Sequence, residues 1–195
     1  QWHKEPEVGN VPLVCDASSD ILHKKIDVKK YGVIYAGAQK NMGPSGVTLV
    51  IMKKDLVERS QDSLHTMLSY KTHVDNDSLY NTPNTFGIYI IMLVTRHLLK
   101  LGGLDKMYEI NKNKADTLYK FIDNSGGFYK GHAEKDSRSV MNVTFNLTTE
   151  ELEKKLIAEA LAAGFSGLKG HRSVGGLRAS IYNAFTAKGV ENLVS

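Results

Sequence analysis

Lys40 and Asp16 are the residues of this chain whose types and positions could support covalent chemistry. Lys40 lies in the glycine-bounded stretch 37–44 (GAQKNMGP), directly after the apolar run Val33–Ala36. A lysine in a turn at the end of a buried strand is held in place while its amine stays available, as a Schiff-base lysine requires. Asp16 ends a second apolar run, Val11–Cys15. Open α/β sheets place their ligand contacts at the carboxyl ends of parallel strands, which is where this carboxylate is expected.

A lysine amine and a carboxylate that faces a pyridinium nitrogen form the minimal site for pyridoxal phosphate (PLP). Each residue alone also has an ordinary explanation. Most lysines are solvated surface charges, and an aspartate after a strand is most often a turn residue or a helix N-cap. The two residues together suggest a PLP site, and further evidence for it must come from the rest of the sequence.

A second group of cations follows in the segment 170–178 (GHRSVGGLR), where His171, Arg172 and Arg178 lie within eight residues around two glycines. Such a cluster is often only a basic surface loop, and the residue order of a phosphate-binding P-loop is absent. Arginine binds carboxylates and phosphates through two parallel hydrogen bonds. Arg178 lies in a predicted strand, 177–182, and should be rigidly aimed, whereas His171 and Arg172 suit a second anion in a loop.

The elements that must position these residues are predicted from apolar runs and chain breakers. Three runs read as buried strands: Val11–Cys15, Val33–Ala36 and Val47–Met52. Residues 53–82 look irregular, apart from a short helical turn near residue 54. Pro83 starts a long helix that ends at Gly102, and its segment Phe86–Leu101 reads as buried.

The second half of the chain reads as a small α+β arrangement, with a domain division near residue 100. Thr148, with Glu151 three residues later, resembles a capping box that opens a helix. The predicted elements are a helix over 104–123 ended by the glycines after Asn124, a half-buried strand over 140–145, a helix from Thr148 to near Gly164, and a strand over 177–182.

Composition limits the classes of function. The chain has 195 residues, a formal net charge of +4 and scattered basic residues without interleaved aromatics, so no nucleic-acid surface is expected. The most apolar window is too short to span a bilayer, so no membrane partner is expected. The histidines lack metal-ligand spacing, and no metal site is predicted. The single cysteine, Cys15, excludes an internal disulfide and suits a reducing, cytoplasmic compartment.

Long segments of the chain resemble the phosphoserine aminotransferases closely. They occur in order from about residue 11 to the C-terminus, and GAQKN and GHRSVGGLRASIYNA are the most specific; the others are CDASSDIL, SLYNTPNTFGIYI, IDNSGGFY and RSVMNVTF. The resemblance implies an α/β fold of the type I PLP-dependent transferases. Residues 1–100 would form the C-terminal part of the large PLP-binding domain, and residues 101–195 the small C-terminal domain.

The resemblance also implies a reaction and residue roles. Members of the family transfer the amino group of glutamate to 3-phosphohydroxypyruvate, giving phosphoserine and 2-oxoglutarate in serine biosynthesis. By motif, Lys40 would form the Schiff base with PLP, and Asp16 would face the pyridine nitrogen. The other implied contacts are Gln39 beside the cofactor, Asn81 and Thr82 at the cofactor phosphate of the neighbouring subunit, His171 and Arg172 at the substrate phosphate, and Arg178 at the α-carboxylate.

Family members are about twice as long as this chain, which is therefore expected to be a C-terminal half. The expected enzyme is a homodimer with shared active sites, and the isolated chain is expected to be a poor enzyme because it lacks the loop that holds the cofactor phosphate. Two alternatives stay open at this point. One is another type I PLP enzyme such as a cysteine desulfurase, against which the HRSVGGLR segment argues. The other is a non-catalytic fragment that binds its missing N-terminal half or another partner.

Overall fold

The structure is a computed structural model that describes residues 1–195, and the chain divides after Leu101 into two compact units. The first unit comprises residues 5–101, and the second comprises residues 102–195 together with residues 1–4. The first four residues join the second unit through backbone contacts. The Gln1 amino group donates to the Ser137 carbonyl at 2.6 Å, and His3 Nε2 bonds to the Arg138 carbonyl at 3.0 Å.

The first unit is built around a three-stranded sheet. Its strands are β1 (Val14–Asp16), β2 (Val33–Gly37) and β3 (Thr48–Met52), in that spatial order. β1 and β2 are parallel, and β3 is antiparallel to β2. The parallel register places Asp16 opposite Tyr35, so the carboxyl ends of both strands lie at the same end of the sheet.

Only β2 fits the prediction of three buried strands. Its residues alternate between buried and half-buried, and Ile34 and Ala36 are 1% and 0% exposed. β1 and β3 are largely exposed, with Val14 at 58% and Leu49 at 39%. The core of this unit covers one side of β2 only; it consists of Ala17, Ile21, Ile34, Ala36, Ala38 and Met42. Apolar composition predicted strands here, but it did not indicate which faces are covered within this chain.

The segment after β3 is more regular than predicted. It contains helix α1 (Lys54–Glu58), a short 3₁₀ turn over Thr66–Leu68 and helix α2 (Tyr70–Asp75). None of these elements has a buried residue, and the longest has 6 residues, which is too short for a helical repeat of apolar residues to be recognised in the sequence.

Helix α3 (Thr85–Lys100) begins two residues after the predicted Pro83, because the Asn84 side chain caps it by accepting from the Gly87 amide at 3.0 Å. The prediction that this helix is buried is wrong for the chain as it stands. Its only buried residues are Gly87 and Leu98, whereas Phe86 is 71% exposed.

The second unit contains a three-stranded antiparallel sheet in the order β4-β5-β6, with helices packed on it. Its elements are α4 (Gly103–Asp123), β4 (Lys130–Gly131), β5 (Asn142–Asn146), α5 (Glu150–Ala162), β6 (Leu177–Ser180) and α6 (Ala187–Val194). α4 buries Met107, Leu118 and Ile122. Alternate residues of β5 and β6 complete the core, including Val143 and Ala179 at 0% and 3% exposed.

The predicted capping box is one residue out of place. Helix α5 is capped by Thr149, whose hydroxyl accepts from the Leu152 amide at 3.3 Å, and not by Thr148. Glu153 reaches back, and its carboxylate accepts from the Leu147 amide at 3.1 Å, while a hydrogen bond with its own backbone and one with the Thr149 side chain contribute to the lowered pKa of Glu151. Leu147 is buried at 7% exposure and packs in the core of the second unit before the helix begins.

No single helix of the chain is both long and apolar enough to cross a membrane. α3 and α4 satisfy the length and composition criteria only when they are taken together across the sharp break between them.

Candidate active site

Asp16 is the last residue of β1, and it is exposed at the end of that strand. The Ser18 amide donates to Asp16 Oδ1 at 2.9 Å, which closes a tight turn of the kind that aspartate favours. Hydrogen bonds from Ser18 hold the pKa of Asp16 below its usual value; the Tyr35 hydroxyl and the charge of Lys40 act in the same direction. The structure therefore presents an ionised carboxylate near the Lys40 amine.

The turn that carries Lys40 begins where β2 ends. The amides of Met42 and Gly43 both donate to the Ala38 carbonyl, at 3.0 and 2.9 Å, so the chain folds tightly around this oxygen. Asn41 is buried, and its side-chain amide donates to the Ile21 carbonyl at 2.9 Å. Lys40, one residue before this anchor, is exposed and takes part in no hydrogen bond or ion pair. The backbone is fixed while the amine stays available, and the role of Lys40 as a Schiff-base lysine stays a prediction.

Gln39 folds back over Gly37 at the start of the same turn. A Cβ atom on Gly37 would lie 2.6 Å from Gln39 Oε1, so this side-chain position requires glycine at 37. The glutamine amide thus lies at the end of β2, next in sequence to Lys40. This position is compatible with the predicted contact beside a cofactor.

Asn81 and Thr82 lie just before α3, and both are exposed. Asn81 Nδ2 donates to the Thr82 carbonyl at 3.0 Å, and neither side chain bonds to the residues of the Lys40 turn. The amide of Asn84 lies against Gly46, at 3.1 Å from the position that a Cβ there would take. The start of α3 is therefore held beside the loop that follows Lys40, and the predicted contact with a neighbouring subunit stays a prediction.

The other three predicted residues lie on the second unit. The loop with His171 and Arg172 is closed by the Gly170 amide, which donates to the Gly176 carbonyl at 2.9 Å. A Cβ on Gly170 would lie 2.0 Å from the Gly175 carbonyl oxygen, so only glycine fits there. The Ser173 amide donates to His171 Nδ1 at 3.3 Å, and the Ser173 hydroxyl lies 2.7 Å from the same nitrogen, so this side chain is held within the loop. Arg172 is exposed and unpaired.

Arg178 lies in the middle of β6, opposite Thr144 of β5. Its amide donates to the Leu168 carbonyl at 2.8 Å, so its backbone is held from both sides. The Nε atom of its side chain is buried and has no acceptor. A buried donor without a partner is costly, and a bound carboxylate would satisfy it.

Sequence reasoning missed three residues that organise this site. Ser18 and Tyr35 hydrogen-bond to Asp16, and Asn41 anchors the Lys40 turn. Two of them had a readable signal: Ser18 lies two residues after an aspartate, and Tyr35 occupies the position opposite Asp16 once the two strands are paired in parallel. No group of histidine, cysteine, aspartate or glutamate side chains in the chain could hold a metal ion.

Comparison with known proteins shows the family of the chain. The family model for class-V aminotransferases matches residues 3–193. The chain is 58% identical over 193 residues to the phosphoserine aminotransferase of Lysinibacillus sphaericus, and 57% identical over 195 residues to that of Herpetosiphon aurantiacus. It covers 99% and 100% of its own length in these matches, but 53% and 54% of the relatives. The chain thus spans about half the length of the curated relatives that it matches.

Solved structures show the same fold. The phosphoserine aminotransferase from Bacillus circulans subsp. alkalophilus is 54% identical and superposes with a TM-score of 0.97, over all of this chain and 54% of the other. A PLP-bound phosphoserine aminotransferase from Trichomonas vaginalis is 35% identical, with a TM-score of 0.93, over all of this chain and 55% of the other. The type I fold that the sequence predicted is thereby confirmed, and the chain belongs to the class-V aminotransferase family, whose members use PLP.

Proposed function

We propose that this chain supplies the catalytic lysine and the substrate-binding arginines of a PLP-dependent phosphoserine aminotransferase. Two residues carry the proposal: Asp16, which ends β1, and Lys40, in the turn after the adjacent parallel strand β2. The Asp16 carboxylate is held ionised, and the Lys40 amine has no hydrogen-bond partner. The relatives are named phosphoserine aminotransferases, and this supports the proposal. In the proposed reaction glutamate gives its amino group to 3-phosphohydroxypyruvate, and O-phospho-L-serine and 2-oxoglutarate are released.

The side chains fit the cofactor. Lys40 would hold PLP covalently, Asp16 would bind the pyridine nitrogen, and Gln39 would lie beside the ring. Asn81 and Thr82, at the start of α3, would bind the cofactor phosphate of a neighbouring subunit. When bound, PLP supplies an electron sink that weakens the C–H bond at the substrate α-carbon.

The chain's own residues do the proton chemistry in this account. Asp16 holds a proton on the ring nitrogen, and it can do so only while its carboxylate is ionised, as the hydrogen bonds from Ser18 and Tyr35 favour. Lys40 removes the proton from the substrate α-carbon and later returns a proton, acting as a general base and then as a general acid. The rigid turn around the Ala38 carbonyl keeps the amine within a small range of positions, which is what such a transfer requires.

Substrate selection is assigned to the second unit. Arg178 binds the α-carboxylate through its guanidinium, whose buried Nε has no acceptor within the chain. His171 and Arg172 bind the phosphate of phosphoserine or the distal carboxylate of glutamate. Both substrates are anionic at two ends, and this matches two separate cationic groups on one loop–strand segment.

We further propose that full activity needs segments beyond this chain. Its relatives are almost twice as long, and the exposed apolar side chains of α3, such as Phe86 and Leu99 at 71% and 73%, favour association with another polypeptide segment or subunit. The active enzyme would be a cytoplasmic homodimer with shared sites. If the chain had no catalytic role, the same apolar face would still bind a partner, so binding alone does not establish the reaction.

The test is an assay of phosphoserine formation with two samples. One is the isolated chain, and the other is the chain co-expressed with the remaining segment of the Lysinibacillus sphaericus relative. Each is given PLP, glutamate and 3-phosphohydroxypyruvate, and a Lys40→Ala chain serves as the control. We expect phosphoserine and 2-oxoglutarate in equal amounts from the complemented sample, and little from the isolated chain or the control. A folded, complemented sample without product would refute the reaction, and full turnover by the isolated chain would refute the need for further segments.

A further inference from the structure

Ser18 lies between the two predicted catalytic residues, Asp16 and Lys40, in the sequence. It hydrogen-bonds to the Asp16 side chain at the end of β1 and to the Gly37 backbone at the end of β2. Its amide donates to Asp16 Oδ1 at 2.9 Å, and its hydroxyl oxygen accepts from the Gly37 amide at 3.0 Å. Gly37 is the last residue of β2 and opens the turn that carries Lys40. Ser18 therefore joins the end of β1 to the start of the Lys40 turn by two hydrogen bonds.

The Ser18 hydroxyl proton is available to donate, because the hydroxyl oxygen accepts from the Gly37 amide. The Ser18 side chain is the largest cause of the lowered pKa of Asp16, and the Ser18 amide acts in the same direction. One residue of a short turn therefore acts on both the orientation and the charge of the carboxylate.

The other groups that face Asp16 do not make this connection. Tyr35 lies opposite Asp16 on β2, and its hydroxyl and the charge of Lys40 both lower the pKa of Asp16. Cys15 and Asp20 are close enough to interact with one another, but neither lowers the pKa of Asp16. Among these groups, Ser18 alone bonds to both Asp16 and the Lys40 turn.

We propose that Ser18 is a positioning residue that couples the Asp16 carboxylate to the Lys40 turn, so that the carboxylate and the amine keep one relative placement. This inference rests on the proposed roles of Asp16 and Lys40. It goes beyond them by assigning a further residue, which touches neither substrate nor cofactor in this account.

The test measures the pKa of Asp16 by ¹³C carboxylate NMR in the 195-residue chain without cofactor. Ser18→Ala removes the hydroxyl, Ser18→Thr keeps it, and Ser19→Ala is the matched neighbouring control. We expect the Asp16 pKa to rise in Ser18→Ala, because the side chain that lowers it most is lost, and to stay near its wild-type value in the other two variants. Amide hydrogen exchange at Gly37 should become about tenfold faster in Ser18→Ala alone, because the acceptor of that amide is lost.

An unchanged Asp16 pKa or unchanged Gly37 exchange in folded Ser18→Ala would overturn the proposal. If Ser18→Ala does not fold, Ser18→Cys replaces it; a thiol is a weak donor, so the Asp16 pKa should rise again, and no rise would count against the coupling. These readouts need no cofactor. If PLP fails to label Lys40, the proposed function is refuted, but the result for Ser18 is unaffected. If PLP labels Lys40 while the Asp16 pKa and the Gly37 exchange are unchanged in Ser18→Ala, the coupling alone is refuted.

Discussion

Replacement of Lys114 tests the packing that holds the arginine-bearing strand of the second unit. Lys114 lies on α4 with its side chain 1% exposed, and its Nζ donates to the carbonyls of Ile181, Tyr182 and Phe185 at 3.0, 2.8 and 2.8 Å. These carbonyls belong to the segment directly after β6, which carries Arg178. The ammonium group thus fastens the end of that strand to the helix beneath it.

The expected loss in the free energy of unfolding follows from the carbonyl groups that Lys114→Met would leave without a partner. The Tyr182 carbonyl also accepts from the Phe185 amide at 2.9 Å, so it keeps a partner, and the carbonyls of Ile181 and Phe185 lose theirs. An unsatisfied buried acceptor costs about 1–3 kcal/mol, and removal of a buried charge offsets part of that loss. We expect Lys114→Met to lower the free energy of unfolding at pH 7 by about 2–4 kcal/mol.

The buried Lys114 amine also makes the stability of the protein depend on pH, and stability should rise with pH. Burial lowers the pKa of Lys114 from 10.5 to about 8. Between these two pH values the unfolded chain keeps the proton that the folded chain has lost, so unfolding takes up a proton and stability rises with pH. The stability advantage of the wild type over Lys114→Met should therefore grow from pH 8 to 10.5, by at most about 3.4 kcal/mol.

The assay is urea unfolding of both proteins at several pH values, with Lys112→Met as the matched control on the same helix. Lys112 is 54% exposed and pairs with Asp116, so its loss should cost less than about 1 kcal/mol and add no such pH dependence. Equal stability of wild type and Lys114→Met at pH 7 would refute the fastening role. A stability difference that stays constant from pH 8 to 10 would refute the lowered pKa.

Three further outcomes are expected. In the complemented enzyme, Asp16→Asn should lower kcat by at least about two orders of magnitude while leaving the fold intact; near-normal turnover would exclude the role of its charge. Arg178→Ala should weaken every amino-acid substrate, whereas Arg172→Ala should weaken phosphoserine more than a substrate without a distal anion, and equal losses would exclude two subsites. Asp123 accepts two hydrogen bonds from Arg138, at 2.6 and 2.8 Å, which lower the pKa of Asp123. The stability that this ion pair adds should be present at neutral pH and should vanish as the pH falls through that lowered pKa. An acid unfolding curve identical to that of Asp123→Asn would contradict this.

The sequence was most informative where local chemistry decides the structure. The Lys40 turn was predictable because an apolar run, two glycines and Pro44 leave few other conformations, and the parallel strand end at Asp16 followed from the same pattern. The helix begun by Asn84 was placed within two residues, since proline and cap residues act locally.

The features that could not be predicted depend on contacts between residues far apart in the sequence or with another polypeptide. The apolar segment of α3 was predicted to be buried, but composition does not show whether its covering partner lies within the same chain; here Phe86 stays exposed. Lys114 looks like a surface residue in the sequence, and only the path of the segment after β6 brings three carbonyls to its amine. The contact of Ser18 with Gly37 joins residues 19 positions apart, and the pairing of β1 with β2 has to be known before it can be seen.

The central claim is that Lys40 binds the cofactor covalently, and borohydride reduction tests it most directly. The chain complemented with the remaining segment is incubated with PLP, reduced and digested, and the pyridoxyl group is located by peptide mass; a Lys40→Arg chain is treated in parallel. We expect the label on the peptide that contains Lys40 and its loss in the Lys40→Arg sample. Label located mainly on another lysine, or equal labelling of the Lys40→Arg chain, would contradict the account.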